Sequence, residues 1–160
     1  MYTNTHTMGN KQEELEAIVQ QESCDVVAIT ETWWDDSHNW SAAMGGYKLF
    51  RKDRQGRRGR GVALYVRESL DSVQLKVTNV KAECLGTRIR EKANKADILM
   101  GICYRPPSQV DEGDELFYKQ LMDVSKSPAL VLMADFNLLD VCWNLNTAEA
   151  VYEISIVYRG

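Results

Sequence analysis

The stretch Ala129-Leu-Val-Leu-Met-Ala134 is an uninterrupted apolar run, and it leads directly into Asp135-Phe136-Asn137. A short run of this kind predicts a buried β-strand. Side chains two apart in a strand share a face, so Asp135 and Asn137 can address one ligand while Phe136 turns into the core. The stretch therefore predicts a polar site at the end of a buried strand.

Two earlier apolar runs end in a similar way. Val26-Val-Ala-Ile-Thr30 leads into the carboxylate of Glu31, and Ile98-Leu-Met-Gly-Ile-Cys-Tyr104 ends on a tyrosine before two prolines. Because the carboxyl ends of buried strands form ligand sites in α/β proteins, we expect the polar residues at these ends to converge. The candidate site residues from this pattern are Glu31, Tyr104, Asp135 and Asn137.

These residue types suit a divalent metal and a phosphate group. Magnesium prefers hard oxygen ligands and keeps several waters, so Glu31 is the best ligand candidate. Asp135 can orient or deprotonate an attacking water, and Asn137 can donate to a phosphoryl oxygen. Tyr104 can donate its phenolic proton to a phosphate. The alternative is that Asp135 and Asn137 satisfy loop backbone groups and that Tyr104 is a packing residue.

The composition of the whole chain fits one globular domain with an ordinary core. It has 160 residues, of which 44% are apolar and 26% charged. No apolar stretch approaches the roughly 20 residues that a membrane-spanning helix needs. The N-terminal segment lacks the pattern of a secretory signal, so we expect a nuclear or cytoplasmic protein that is not secreted. The scattered cysteines predict reduced thiols; they are Cys24, Cys84, Cys103 and Cys142.

One segment is strongly basic although the net charge of the chain is −4. As a functional feature it predicts a hairpin that contacts a nucleic-acid backbone through salt-dependent, sequence-independent contacts. The alternative is a solvated turn. The basic residues of this segment are Arg51, Lys52, Arg54, Arg57, Arg58 and Arg60.

Strands alternate with helices along the chain, which predicts the α/β class. The glycines between residues 56 and 61 predict a hairpin turn, because glycine accepts positive φ. The predicted helices are Asn10–Glu22 and Asp114–Val124, and the predicted strands are Asp25–Glu31, Tyr47–Phe50, Val62–Val66, Val73–Val77, Cys84–Arg90, Ile98–Tyr104 and Ala129–Ala134.

Four strings of this sequence resemble a known family. They are Ala28-Ile-Thr-Glu31-Thr-Trp-Trp34, Gly61-Val-Ala-Leu-Tyr-Val66, Tyr104-Arg-Pro-Pro107 and Asp135-Phe-Asn137. Together they resemble the apurinic-type endonuclease domain of vertebrate non-LTR (LINE) retrotransposons, within the endonuclease/exonuclease/phosphatase superfamily. The resemblance implies a four-layer α/β/β/α sandwich and a nick in target DNA that depends on Mg²⁺, with Mn²⁺ as the alternative ion.

The same resemblance assigns roles to individual residues. Asn4 matches the site asparagine after the first strand, Glu31 the metal-binding glutamate, and Tyr104 the phosphate-contacting tyrosine. Asp135 and Asn137 match the Asp-x-Asn pair of water activation and phosphate binding.

Departures from the family pattern predict a copy truncated at both ends. Residues 1–143 match part of the domain, and residues 144–160 form an unrelated tail with strand-like apolar content. The histidines are His6 and His38, so the family's closing Ser-Asp-His motif has no counterpart. Gly86 stands where tryptophan is expected, which predicts a weaker core. We expect the second sheet to be largely missing and an exposed sheet face to favour self-association.

Three functions follow from these observations. The first is a working metal-dependent DNA endonuclease. The second is a decaying or domesticated fragment that keeps part of the fold and has weak or no activity. The third is a module that binds nucleic acid through the basic segment without chemistry.

Overall fold

The computed structural model describes residues 1–4, 12–32, 42–53, 61–76, 83–90, 97–104, 129–135 and 154–159. These ranges form one helix and nine strands arranged in two sheets with the orders β1-β2-β4-β3 and β5-β6-β7-β8-β9. The elements are α1 (Gln12–Gln21), β1 (Tyr2–Asn4), β2 (Val26–Thr32), β3 (Tyr47–Lys52), β4 (Gly61–Arg67), β5 (Asp71–Leu75), β6 (Glu83–Arg90), β7 (Asp97–Tyr104), β8 (Leu130–Asp135) and β9 (Ile154–Arg159).

The α/β class and the two-sheet architecture are confirmed, and each predicted strand is present with its bounds shifted by two residues or fewer. The predicted hairpin is also present, because β3 and β4 pair antiparallel from Tyr47↔Arg67 to Lys52↔Val62. The second sheet differs from the expectation of a largely missing layer, since it has five strands. The predicted helix Asp114–Val124 lies outside the described residues.

Helix α1 covers the outer face of the first sheet. Leu15 and Val19 are buried and lie four residues apart, so they occupy one stripe of the helix. They pack against Val27 and Ile29 of β2. Ile18, which the sequence pattern places on the same stripe, is 42% exposed. The helix therefore buries a narrower face than its apolar residues predict.

A second core cluster fills the space between the two sheets. Ala28 and Leu64 contribute from the first sheet, and Leu85, Ile102 and Met133 contribute from the second. Sheets packed face to face in this way bury the inward side chains of both. In the described residues the inner faces of the two sheets thus cover each other, whereas the sequence predicted that one of these faces would be exposed. Self-association of the chain stays a prediction.

The outer face of the second sheet carries a third, smaller cluster that includes Cys84, Cys103 and Leu132. Cys84 and Cys103 are directly opposite each other on β6 and β7. A hydrogen bond with Cys84, together with burial, raises the pKa of the Cys103 thiol well above its usual range. Both cysteines and Cys24 are free thiols, as predicted, while Cys142 lies outside the described residues.

Two further predictions were a weaker core at Gly86 and an unrelated C-terminal tail. Among the described residues, the atoms nearest to a Cβ at Gly86 belong to Leu75, at an ordinary contact distance of 3.5 Å, so this half-buried position has space for a small side chain. Strand β9 comes from the segment predicted to be an unrelated tail, and it pairs antiparallel with β8 from Leu130↔Arg159 to Asp135↔Ile154. The division of the chain at residues 143 and 144 stays a prediction.

In the ranges that the structure covers, no helix has the length and apolar character to cross a bilayer.

The buried phenol of Tyr65 makes the stability of the fold sensitive to alkaline pH. Its hydroxyl donates to the carbonyl oxygen of Ala42 at 2.6 Å. Burial raises the pKa of Tyr65 to about 12, and a hydrogen bond with Gln12 offsets part of this effect. A folded-state pKa above the unfolded value near 10 means that the contribution is complete below pH 10 and is lost as the pH rises toward 12.

We therefore expect the free energy of unfolding to fall between about pH 10 and 12, and to fall less steeply in Tyr65→Phe. Urea unfolding at several pH values in this window measures the slope for both proteins. Parallel slopes for the two proteins would show that Tyr65 does not titrate with unfolding.

Candidate active site

Four strand ends place candidate residues along one edge of the two sheets. Strands β1 and β2 are parallel and aligned so that Asn4 is opposite Thr30, the residue before Glu31. Strands β7 and β8 are also parallel, and Tyr104 is opposite Asp135. Because the carboxyl ends of parallel strands meet at the same edge, each sheet brings two of the predicted positions side by side.

A buried hydrogen bond joins the two sheets at this edge. The Tyr104 hydroxyl donates to Oε1 of Glu31 at 2.8 Å. Tyr104 is 1% exposed and Glu31 is 9% exposed, so water is largely excluded from the contact. A hydrogen bond to an ionised group is stronger than a neutral one, and more so in a low-dielectric setting. The phenol therefore fixes the orientation of the Glu31 carboxylate.

Glu31 occupies an unusual backbone conformation. Its φ is 61°, in the left-handed region, and the β2–β4 register shifts between Thr30 and Thr32. This is a bulge, in which one extra residue interrupts the ladder and the strand changes direction. Such a conformation costs about 1–3 kcal/mol for a residue other than glycine and is commonest at functional sites. Because of the bulge, the Glu31 side chain leaves β2 in a direction that a regular extended strand would not give it.

Gly61 permits the close strand approach beside this bulge. It is opposite Thr32, and a Cβ at Gly61 would lie 2.5 Å from Thr32 Oγ1 and 3.0 Å from the carbonyl oxygen of Lys52. A larger side chain fits only if the Thr32 side chain rotates away and the backbone at Lys52 shifts by a few tenths of an ångström. Glycine at this position therefore allows the strands to approach this closely.

Tyr2 and Thr30 form a second hydrogen bond next to Glu31. Their hydroxyl groups are 2.7 Å apart and connect β1 to β2. Sequence reasoning did not select Tyr2, Thr30, Thr32 or Gly61 as site residues. The glycine-rich segment before β4 was the available signal for Gly61, whereas nothing local to β1 marks Tyr2 as a partner of Thr30.

The predicted basic residues are only partly covered by the described ranges. Arg51 and Lys52 end β3, and Arg51 forms an ion pair with Asp53 at 2.8 Å. The remaining site predictions lie outside the described residues; they are Asn137, Arg54, Arg57, Arg58 and Arg60. For Asn4 and Asp135 the structure gives the strand position alone.

The donor chemistry of this edge fits a hard divalent cation. Glu31 supplies a buried carboxylate held by Tyr104, and Asp135 is the strand neighbour of Tyr104. Among the described residues, no three histidine, cysteine, aspartate or glutamate side chains surround one point. Magnesium needs only one or two protein carboxylates, because it retains water and binds substrate phosphate oxygens. The arrangement suits Mg²⁺ better than a cation that requires a full protein cage.

Known structures share this fold. The endonuclease domain of TRAS1, a telomere-specific non-LTR retrotransposon, is 19% identical with a TM-score of 0.62, and the match covers 85% of this chain and 57% of that one. The AP endonuclease LMAP from Leishmania major is 16% identical with a TM-score of 0.69, covering 88% and 54%. D. rerio TDP2, solved with a single-strand DNA product, is 14% identical with a TM-score of 0.58, covering 80% and 54%.

The chain therefore spans little more than half the length of these three structures. No curated protein matches it in sequence. The family model of the Endonuclease/Exonuclease/phosphatase family matches residues 3–151. The matched range includes both strands that contribute to the Tyr104–Glu31 contact. On this match the chain belongs to the endonuclease/exonuclease/phosphatase family.

Proposed function

We propose that the chain is part of a magnesium-dependent DNA endonuclease domain of a non-LTR retrotransposon. The observation that carries this proposal is the buried hydrogen bond between Tyr104 and Glu31, at the edge where strand ends of both sheets lie. Family membership supports the hydrolysis of a phosphate ester as the reaction class. The fold shared with the TRAS1 endonuclease domain and with DNA-bound TDP2 supports DNA as the substrate.

Each residue has a distinct part in the proposed hydrolysis. Glu31 would hold the cation, and bound Mg²⁺ supplies positive charge to the phosphoryl oxygens. Tyr104 is a positioning residue, because its hydroxyl keeps the Glu31 carboxylate in one orientation. Asp135 accepts a proton from the attacking water as the new phosphorus–oxygen bond forms and the ester bond to the leaving oxygen breaks. The leaving oxygen takes its proton from solvent water. Asn137 and Asn4 donate from their amides to the phosphate, where negative charge develops.

An alternative function is nucleic-acid binding with weak or no cleavage. The observation that favours it is the basic segment between residues 51 and 60, of which Arg51 and Lys52 end strand β3. Clustered positive charges bind a phosphate backbone without any catalytic group.

Nicking of supercoiled plasmid separates the two functions. The purified chain is expected to convert supercoiled DNA to the relaxed form with Mg²⁺ and to stop when EDTA is added. Asp135→Ala, purified in the same way, is the control for contaminating nucleases. Equal nicking by the wild type and Asp135→Ala would contradict the endonuclease proposal, and DNA binding without any nicking would favour the alternative.

Tyr104→Phe tests the positioning role. Removal of a hydrogen-bond partner of a metal ligand commonly lowers metal affinity or activity by about 10- to 100-fold. We expect slower nicking and a higher Mg²⁺ concentration for half-maximal rate, because phenylalanine keeps the packing and removes the donor. Rates measured across a series of Mg²⁺ concentrations give both values. An unchanged Mg²⁺ dependence would show that the hydroxyl does not act through Glu31.

A further inference from the structure

A basic pocket opens beside the candidate active site, between strands of opposite sheets. Its volume is about 730 Å³. Of the described residues that line it, three are cationic, two are leucines and none is a carboxylate. They are Arg51, Lys52, Gln74, Leu75, Lys76, Cys84 and Leu85.

The pocket lies at the same edge of the molecule as Glu31. Lys52 pairs with Val62, and its carbonyl oxygen lies 3.0 Å from a Cβ placed on Gly61, the partner of Thr32. In the second sheet, Cys84 is opposite Cys103, the residue before Tyr104. Strand β3 is two positions from β2 in its sheet, so the pocket lies about 10 Å to the side of Glu31, at about 4.8 Å per strand.

We propose that this pocket binds the sugar-phosphate backbone of the DNA substrate to one side of the phosphate that is cut. The inference rests on the proposed function and adds a substrate contact to it. Lys52 and Lys76 approach from different sheets, so their ammonium groups can address one phosphodiester from two sides. Gln74 adds an amide, and Leu75 and Leu85 give an apolar surface for a sugar.

Charge pairing orders part of this surface. Arg51 is held by Asp53 at 2.8 Å, with 15% of its side chain exposed. The Asp53 carboxylate offsets this charge, so the positive charge of the pocket comes mainly from Lys52 and Lys76. Lys76 is exposed and lies just after β5, outside the basic segment between residues 51 and 60. Sequence reasoning missed it because its partners are brought near only by sheet packing.

The salt dependence of DNA binding tests the pocket separately from catalysis. The probe is a fluorescently labelled duplex in buffer with EDTA, so that binding is measured without cleavage. Each lost phosphate contact makes the slope of log affinity against log salt less steep by about 0.9. The double variant Lys52→Gln/Lys76→Gln is therefore expected to bind more weakly at low salt, with a slope less steep by about 0.9 for the one phosphate that both lysines address.

Lys48→Gln is the matched control. Lys48 is an exposed lysine on the same strand as Lys52, but it pairs with Val66, near the opposite end of β4. It should keep the wild-type slope. Equal slopes and affinities for the double variant and Lys48→Gln would overturn the inference, and so would a wild-type chain that does not bind the duplex.

Plasmid nicking measured in parallel distinguishes the two proposals. Suppose that nicking depends on Mg²⁺ but the salt slope of the double variant is unchanged. This result would support the endonuclease function and contradict the proposal that the pocket binds DNA. Absence of nicking together with the expected change in slope would reject the endonuclease function and leave the pocket as a DNA-binding site.

Discussion

Replacement of Glu31 by glutamine is expected to abolish nicking by the chain and to remove its binding of Mn²⁺, while the fold is kept. Glutamine has nearly the same shape and can still accept the hydrogen bond that Tyr104 donates to Oε1. It lacks the negative charge that a hard cation requires. Electron paramagnetic resonance of Mn²⁺ measures binding directly and does not depend on turnover.

Glu68→Gln is the control for a change of net charge. Glu68 is exposed and follows β4, at the end opposite Gly61. Its replacement should leave Mn²⁺ binding at the wild-type level. Retention of wild-type Mn²⁺ affinity in Glu31→Gln, with an unchanged circular dichroism spectrum, would show that the cation is held elsewhere.

Alanine at Gly61 is expected to destabilise the fold by about 1–3 kcal/mol, the usual cost of forcing extra atoms into a packed site. The new Cβ would be 2.5 Å from Thr32 Oγ1 and 3.0 Å from the carbonyl oxygen of Lys52, so the Thr32 side chain must rotate and the β3 backbone must shift slightly. Because Thr32 adjoins Glu31, we expect the change to affect the site as well. Urea unfolding measures the stability, and the Mn²⁺ assay reports the effect on the site.

Two further variants make this prediction specific. Gly45→Ala is the matched control, because a Cβ there meets no atom of the described residues within 4 Å. Thr32→Ala combined with Gly61→Ala removes the nearer of the two clashes, so the double variant should be more stable than the sum of the single changes. Equal unfolding midpoints for Gly61→Ala and Gly45→Ala would contradict the steric argument.

The sequence predicted the strands well because apolar runs report burial directly. The runs that end near Glu31, Tyr104 and Asp135 are strands β2, β7 and β8. The same pattern predicted that polar residues lie at strand ends. It did not predict which of them touch, because the Tyr104–Glu31 contact joins residues 73 positions apart and depends on how two sheets stack.

Backbone geometry was the other feature that the sequence did not reveal. Glu31 has a positive φ, although the common signal for this conformation is glycine or asparagine. The neighbouring residues Thr30 and Thr32 favour extended backbone, so the local pattern reads as a regular strand. The bulge results from tertiary pairing with β4, where Gly61 leaves space for it.

The Tyr104–Glu31 hydrogen bond makes the proposed catalyst conditional on assembly. Its donor and acceptor belong to different sheets, and among the described residues the strand ladders run within each sheet and do not join the two. Separation of the layers would thus disconnect the carboxylate from its phenol even if every ladder were kept. Competence of the site is a property of the closed sandwich rather than of either half.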